Sequence, residues 1–385
     1  VRLPEREILA LHQAITAIHS VSGEEAELAD FLAGWWRRRG VTPLRLGNSL
    51  LLLSPDGAPE GSVWAASPLE QGERKPLLLL DTHLDTVPPA AGWTRDPWDS
   101  APVDGRVYGL GANDAKASVA GMIAAWAAFA EVELPFTLAL ALVEGEETRG
   151  TGTEAVLAEL ERQGRRPAAA VIGEPTGLDF AIAQKGLLVL ELVASGDACH
   201  AANARALGAV NAARRLAHDV VALEDVDFGP PHETLGPMTL EPTQLRAGLA
   251  RNAVPGEATA VLDVRTTPAL SPAAIVERVR AVVSGEVRVL SERLLPRETA
   301  AAAAVVEAAR RVRPEARLYG SPTLSDMAFL AGVPTLKCGP GRSERSHTAD
   351  EFVLESEVLD GARFYTRLVG SYAEVLTATA AGTVS

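Results

Sequence analysis

Three spacings of apolar residues divide the chain into candidate elements. Over residues 5–39 apolar positions recur with helical period, and Ser22 followed by Glu25 has the form of a capping box opening a helix over about 23–39. Continuous apolar runs at 77–80, 136–143 and 168–172 carry the mark of strands buried on both faces, and 50–54 reads as a further short strand. Residues 115–129, rich in small side chains, and the amphipathic 154–163 read as the helices between them. The Gly, Pro, Ser and Glu of residues 55–75 predict a surface loop or hairpin. Strand, helix, strand, helix, strand predicts an α/β fold, a mixed sheet flanked by helices.

The pattern then changes. Residues 187–194 alternate as a half-exposed strand does, 207–221 reads as a helix, and 238–246 and 258–265 read as strands around a turn at 252–256. A helix over 272–283 and a strand over 286–290 complete a block large enough for one small domain. An alanine-rich helix near 299–313, short strands near Leu318 and Thr335, and a final helix over 357–378 read as a return to the first sheet. The expected organisation is a larger domain of residues 1–185 and 294–385, with a smaller α+β domain of residues 186–293 inserted into it.

Length and charge narrow this picture. A chain of 385 residues exceeds one ordinary core. A formal net charge of −14 argues against general nucleic-acid or anionic-membrane binding. Two cysteines, Cys199 and Cys338, cannot build a disulfide framework, which favours a reducing compartment. The first twenty residues, charged at Arg2, Glu5, Arg6 and Glu7, do not read as a signal peptide. Glu131, Glu133 and Pro135 interrupt the most apolar long stretch, so no spanning helix is expected and a cytoplasmic location is the default.

Polar residues with metal-binding chemistry follow the buried strands. The run after residue 80 carries His83 and Asp85, two apart and so on one side of extended chain, which suits a metal-binding ring oriented by a neighbouring carboxylate. Asp114 stands where the chain turns into the helix at 115, and a carboxylate can bridge two cations. Gly109-x-Gly111 is not a dinucleotide loop, because an acid occupies the third glycine's place. Glu146 and Glu147 follow the strand at 136–143, Glu174 follows the strand at 168–172, and His347 lies in a polar loop, residues 345–351. With Asp114 bridging, His83, Asp114, Glu147, Glu174 and His347 make two sites of three ligands, each with a position open to water. Glu146 is left free as a general base. No Gly-x-Ser-x-Gly is present for a serine hydrolase.

In these motifs, taken in order, the chain resembles the zinc metallopeptidase family of acetylornithine deacetylase, succinyl-diaminopimelate desuccinylase, aminoacylase and carboxypeptidase G. The resemblance implies a phosphorylase/hydrolase-like di-zinc catalytic domain, with cobalt or manganese as alternatives, and a lid domain that makes a homodimer. It implies His83 and Glu174 on one metal, Glu147 and His347 on the other, Asp114 between them, Asp85 behind His83 and Glu146 as base. In the lid it implies His200 as a residue polarising the scissile carbonyl from the partner subunit, and Asn252 and Arg265 as substrate contacts; Arg265 equally suits a structural ion pair. Two departures are Ala117 where the family has glycine and the lack of a proline after His200; neither touches a ligand. The implied reaction is hydrolysis of an N-acyl-amino acid, as in acetylornithine and acetylcitrulline deacetylases. A carrier-protein-linked lysine or ornithine substrate, or a dipeptidase or carboxypeptidase reaction, is the alternative. The expected partner is a small N-acyl-amino acid or short peptide, with no nucleic acid and no membrane.

Overall fold

The computed structural model describes residues 2–55 and 75–382. The loop expected at 55–75 therefore lies almost wholly outside the described residues. The chain divides into two compact units. The first comprises residues 1–182, 299–319 and 325–385, and the second residues 183–298 and 320–324.

The first unit is built on a mixed sheet. Its order is Leu44–Leu46, Ser49–Leu53, Thr137–Val143, Leu77–His83, Pro167–Ile172, Thr335–Lys337 and then Phe180–Gln184. The four central strands are parallel to one another, and antiparallel partners close both sides. The apolar runs are continuous because both faces are covered. Leu77, Leu79, Ala139, Ala141 and Ile172 face one way and join Val156 and Leu160 of the helix Thr151–Arg162. Leu78, Leu80, Leu138, Leu140 and Val171 face the other way. They join a larger cluster with Trp126 of the helix Lys116–Phe129, Trp36 of Ala26–Arg37, and Tyr365 and Leu368 of Glu355–Gly382. Each such leucine contributes roughly 1.5–3 kcal/mol on burial, so these strands are the stable part of the unit. Cys338 is fully buried just after Thr335–Lys337, where the Tyr365 hydroxyl donates to its carbonyl at 2.7 Å. A small antiparallel sheet joins Pro102–Val103, Arg106–Tyr108 and Phe352–Leu354.

The second unit is an antiparallel sheet ordered Thr239–Ala247, Glu257–Thr266, Gly186–Ser195 and Glu286–Leu294. Leu188, Leu190, Leu192, Ala258, Ala260, Leu262 and Val264 point to one face, as period-two alternation requires. There they pack with Leu216 of Ala212–Ala222 and with Ile275 and Val279 of Pro272–Val282. Among the described residues no helix is long and apolar enough to cross a membrane.

Three sequence expectations are corrected. Ser22 does not cap the helix Ala26–Arg37, whose N-cap Glu25 makes no side-chain cap bond; the Ser22 hydroxyl donates instead to Asp85 Oδ2 at 2.7 Å. The helix expected at 207–221 starts at Ala212, because Gly208 ends the preceding turn in left-handed conformation and Asn211 accepts from the Ala213 and Arg214 amides. The helix expected from 299 starts at Ala304, because the Thr299 hydroxyl is committed to the Thr335 backbone.

Candidate metal centre

The polar residues that follow the parallel strands converge at the carboxyl end of the sheet, where α/β folds collect ligands. His83 ends its strand and is 2% exposed. Its Nδ1 lies 2.9 Å from the Asp85 carbonyl oxygen, which can only accept, so Nδ1 carries a proton. Nε2 then faces Asp114 Oδ1 at 3.2 Å and Glu174 Oε1 at 3.9 Å. The other Asp114 oxygen, Oδ2, lies 4.0 Å from His347 Nε2, and His347 Nε2 lies 2.9 Å from Glu147 Oε1. One carboxylate thus stands between two histidines and turns one oxygen to each.

Two overlapping groups have ligand atoms within 4.8 Å of one another: His83, Glu146 and Glu174, and His83, Asp114 and Glu147. Together with His347, the cluster assembles all five residues expected as ligands and the expected base. Proximity alone places Glu146 beside His83 and Glu174 as well as next to Glu147, so ligand and base are not separated by distance.

The electrostatics fit a site made for cations. Burial, with Asp114 and Glu147 nearby, pushes Glu174 up to about 8. Burial and the Glu174 charge likewise push Glu146 well above the usual carboxylate range. Burial opposes a charge on His83, yet the Asp114 hydrogen bond and the Glu174 and Glu146 charges hold its pKa well above normal. The Glu147 hydrogen bond raises His347 to about 9. Carboxylates this close and this buried cannot all ionise unless positive charge joins them. The donor set of imidazole nitrogen and carboxylate oxygen, with no thiolate, accepts zinc and also manganese or cobalt.

Behind these residues, backbone amides and buried acceptors set the geometry. The Asp85 carboxylate accepts from the Glu146 amide at 3.0 Å, the Glu147 amide at 3.1 Å and the Ser22 hydroxyl at 2.7 Å. It lies 3.7 Å from His83 Nδ1, so its main contacts are to the loop that carries the two glutamates rather than to the ring. Glu351, 2% exposed, accepts from the amides of Gly111, Asn113 and Asp114 at 3.2, 2.9 and 3.0 Å. Asn113 reaches the opposite way: its side chain accepts from the Arg342 amide and donates to the Arg342 carbonyl and the Ser346 hydroxyl. Gly341, at φ +79°, leaves room for it, since a Cβ there would collide with the Asn113 side chain. From the sequence Ser22 reads only as a helix cap, and Asn113 and Glu351 are given no role. The available signal was a turn, residues 109–114, whose successive amides need an acceptor.

The remaining expected residues lie in the second unit. His200 pairs with Ala253 at a two-residue bridge, is exposed, and accepts from the Ala202 amide at its Nδ1. The Asn252 carbonyl accepts from the Ala201 amide at 2.8 Å, which fixes this bridge. Arg265 makes a two-pronged ion pair with Asp263 at 2.8 and 3.1 Å.

Known proteins resemble this chain over most of its length. Residues 79–371 match the model of peptidase family M20/M25/M40. A succinyl-diaminopimelate desuccinylase from Wolinella succinogenes is 32% identical over 301 residues, 73% of this chain and 81% of that protein. A probable carboxypeptidase from Aspergillus clavatus is 32% identical over 291 residues, 73% of this chain but only 61% of that longer protein. Among solved structures, an M20 family metallo-carboxypeptidase from Sulfolobus solfataricus superposes with a TM-score of 0.72 at 18% identity, covering 95% of this chain and 99% of that one. A dinuclear metal-binding M20 peptidase from Bacillus subtilis gives 0.66 at 14%, covering 96% and 99%. The fold and the cluster define a metal-dependent hydrolase. The chain belongs to peptidase family M20/M25/M40.

Proposed function

We propose that this protein is a di-zinc amidohydrolase that cleaves an N-acyl-amino acid, of the acetylornithine or acetylcitrulline type, to a carboxylate and a free amino acid. The observation that carries the two-metal reading is the Asp114 carboxylate standing between His83 and His347. His83 and Glu174 would hold one ion and Glu147 and His347 the other, with Asp114 available to both. When bound, such ions supply Lewis acidity that brings the pKa of a coordinated water to about 7. Glu146 accepts the proton of the attacking water at its carboxylate and passes it to the leaving nitrogen. Asp85 holds Glu146 and Glu147 in place through their amides. His200 polarises the scissile carbonyl in a second copy of this chain, in a homodimer made by the second unit, and Asn252 contacts substrate. Arg265, whose guanidinium is engaged by Asp263, would contact substrate only by exchanging that pair. Two unpaired cysteines suit a cytoplasmic location.

The relatives named desuccinylase and carboxypeptidase support a second reading with the same chemistry, in which the bond is that of a succinyl amide or a short peptide. A hydrolysis panel on zinc-loaded protein separates them. It contains N-acetyl-ornithine, N-acetyl-citrulline, N-succinyl-diaminopimelate, acetylated neutral amino acids and dipeptides, each with and without chelator. Chelator-sensitive release from an acetylated amino acid supports the deacetylase reading. Release confined to the succinyl substrate or the dipeptides transfers the assignment to the second reading. Turnover that survives complete metal removal rejects both.

A further inference from the structure

The segment 345–351 carries a second acid that the proposed chemistry does not use. Glu351 is buried and ends the loop that bears His347, four residues before it. Its two oxygens take the amides of Gly111, Asn113 and Asp114, and its own carbonyl takes the Gly109 amide at 3.0 Å. The turn that delivers Asp114 is therefore wrapped around one carboxylate from a segment more than 200 residues away in sequence. On its other side the same turn is tied through Asn113 to Arg342 and Ser346, at the start of the loop that carries His347. Among the described residues, the Asp114 carboxylate bonds only within the cluster and to Ser346.

Resting on the two-metal reading above, we infer that Glu351 is a positioning residue that sets the spacing of the two metal positions. By gathering three amides of one turn it fixes the Asp114 Cα, and because it shares a loop with His347 it ties the bridging carboxylate to the ligand on its far side. The shared acceptor couples two ligands of one position and leaves His83 and Glu174, which the sheet already holds, independent of it. Loss of one Glu351 acceptor oxygen lets the Asp114 turn relax and weakens the position that depends on Asp114 and His347 together. Groups that orient ligands in this way change metal affinity by roughly 10–100-fold.

The test is a cobalt(II) titration of the full, metal-stripped chain, followed by visible absorption and by metal content after dialysis. The variants are Glu351→Gln and, as a control, Glu357→Gln. Glu357 holds the same loop through Arg345 at 2.6 and 3.2 Å but does not touch the Asp114 turn. The expected result is two cobalt ions in the wild type, one of them weakened by roughly 10-fold or more in Glu351→Gln, a changed absorption envelope, and near wild-type binding in Glu357→Gln. Wild-type affinity and spectrum in Glu351→Gln overturn the inference. Equal weakening in Glu357→Gln also overturns it, because the effect is then general loosening of the loop. If Glu351→Gln does not fold, Glu351→Asp decides: it keeps both acceptor oxygens but withdraws them by one methylene, and undiminished affinity there overturns the inference. A wild-type chain that binds fewer than two ions under these conditions sinks the two-metal reading, and the inference with it. Two ions bound equally well in wild type and Glu351→Gln sinks the inference alone.

Discussion

The two histidines of the cluster are held by different means. His83 is the last residue of a strand whose neighbours on both sides are parallel strands, and it is 2% exposed. His347 sits on a loop at φ +61°, a conformation that costs a non-glycine residue energy, and its side chain is half exposed. The sheet positions the first for reasons unrelated to chemistry. The second depends on contacts brought in from elsewhere: Glu147, the Asn113 and Glu351 attachments, the Arg345–Glu357 pair, and Asp350 accepting from Thr94 at 2.9 and 2.6 Å. A site can therefore combine a half that costs the fold nothing with a half that must be assembled.

The sharpest test of this contrast lies at the glutamate pair. Replacing Glu146 with Gln is expected to lower kcat by roughly 10²–10⁴-fold while both metals stay bound, read from turnover and elemental analysis of one preparation. Loss of a metal instead would move Glu146 into the ligand set of the strand-borne half.

Stability of the metal-stripped protein should separate the two histidines. His83→Ala removes a buried partner of Asp114 and leaves a cavity, and is expected to cost about 3 kcal/mol or more in urea unfolding. His347→Ala should cost less, about 1 kcal/mol, because its ring is half in water and solvent screens its pair with Glu147. Equal costs would mean that the loop is as much a part of the folded core as the strand.

Between these lies His12, which supports the Asp114 turn from beneath. Its Nε2 contacts the Ala112 carbonyl at 2.8 Å, and burial lowers its pKa to about 4. The unfolded chain binds this proton below about 6.5 and the folded one only below about 4, so stability falls as pH drops through that window. The wild type should lose on the order of 3 kcal/mol more than His12→Gln between pH 7 and 4. A pH-independent difference between the two would show that the ring is not held neutral. The smaller effect is Ser22→Ala, which removes a hydroxyl from the Asp85 carboxylate and is expected to cost about 1.5 kcal/mol. Chemical denaturation reads it directly, and no change would mean that the two glutamate amides suffice for Asp85.

The same contrast explains what could be read from sequence. The apolar runs at Leu77–His83 and Thr137–Val143 announce buried strands, and an acid or histidine at the end of each is conspicuous because it follows so many apolar residues. The loop-borne half shows no such period. Phe352–Leu354 and Arg106–Tyr108 are too short to register as strands, so the pairing that places Glu351 beside the Asp114 turn was not visible. Ser22 was misread because a serine three residues before a glutamate fits a helix cap, and only the fold reveals that Asp85 competes for its hydroxyl. Phe180–Gln184 was missed because only Lys185 separates it from Gly186–Ser195, with no turn residue between the two strands to delimit it.

The two free cysteines fall one in each compact unit, and their surroundings could hardly differ more. Cys338 is sealed in the core of the first, and burial pushes its thiol far above the usual range; Cys199, on the short bridge to Val254 in the second, is partly open to solvent. The molecule therefore carries its own pair of clocks. A thiol reagent will mark Cys199 at nearly its chemical rate and Cys338 only when the central sheet opens. The ratio of the two rates times the breathing of the sheet without any label having to be engineered in.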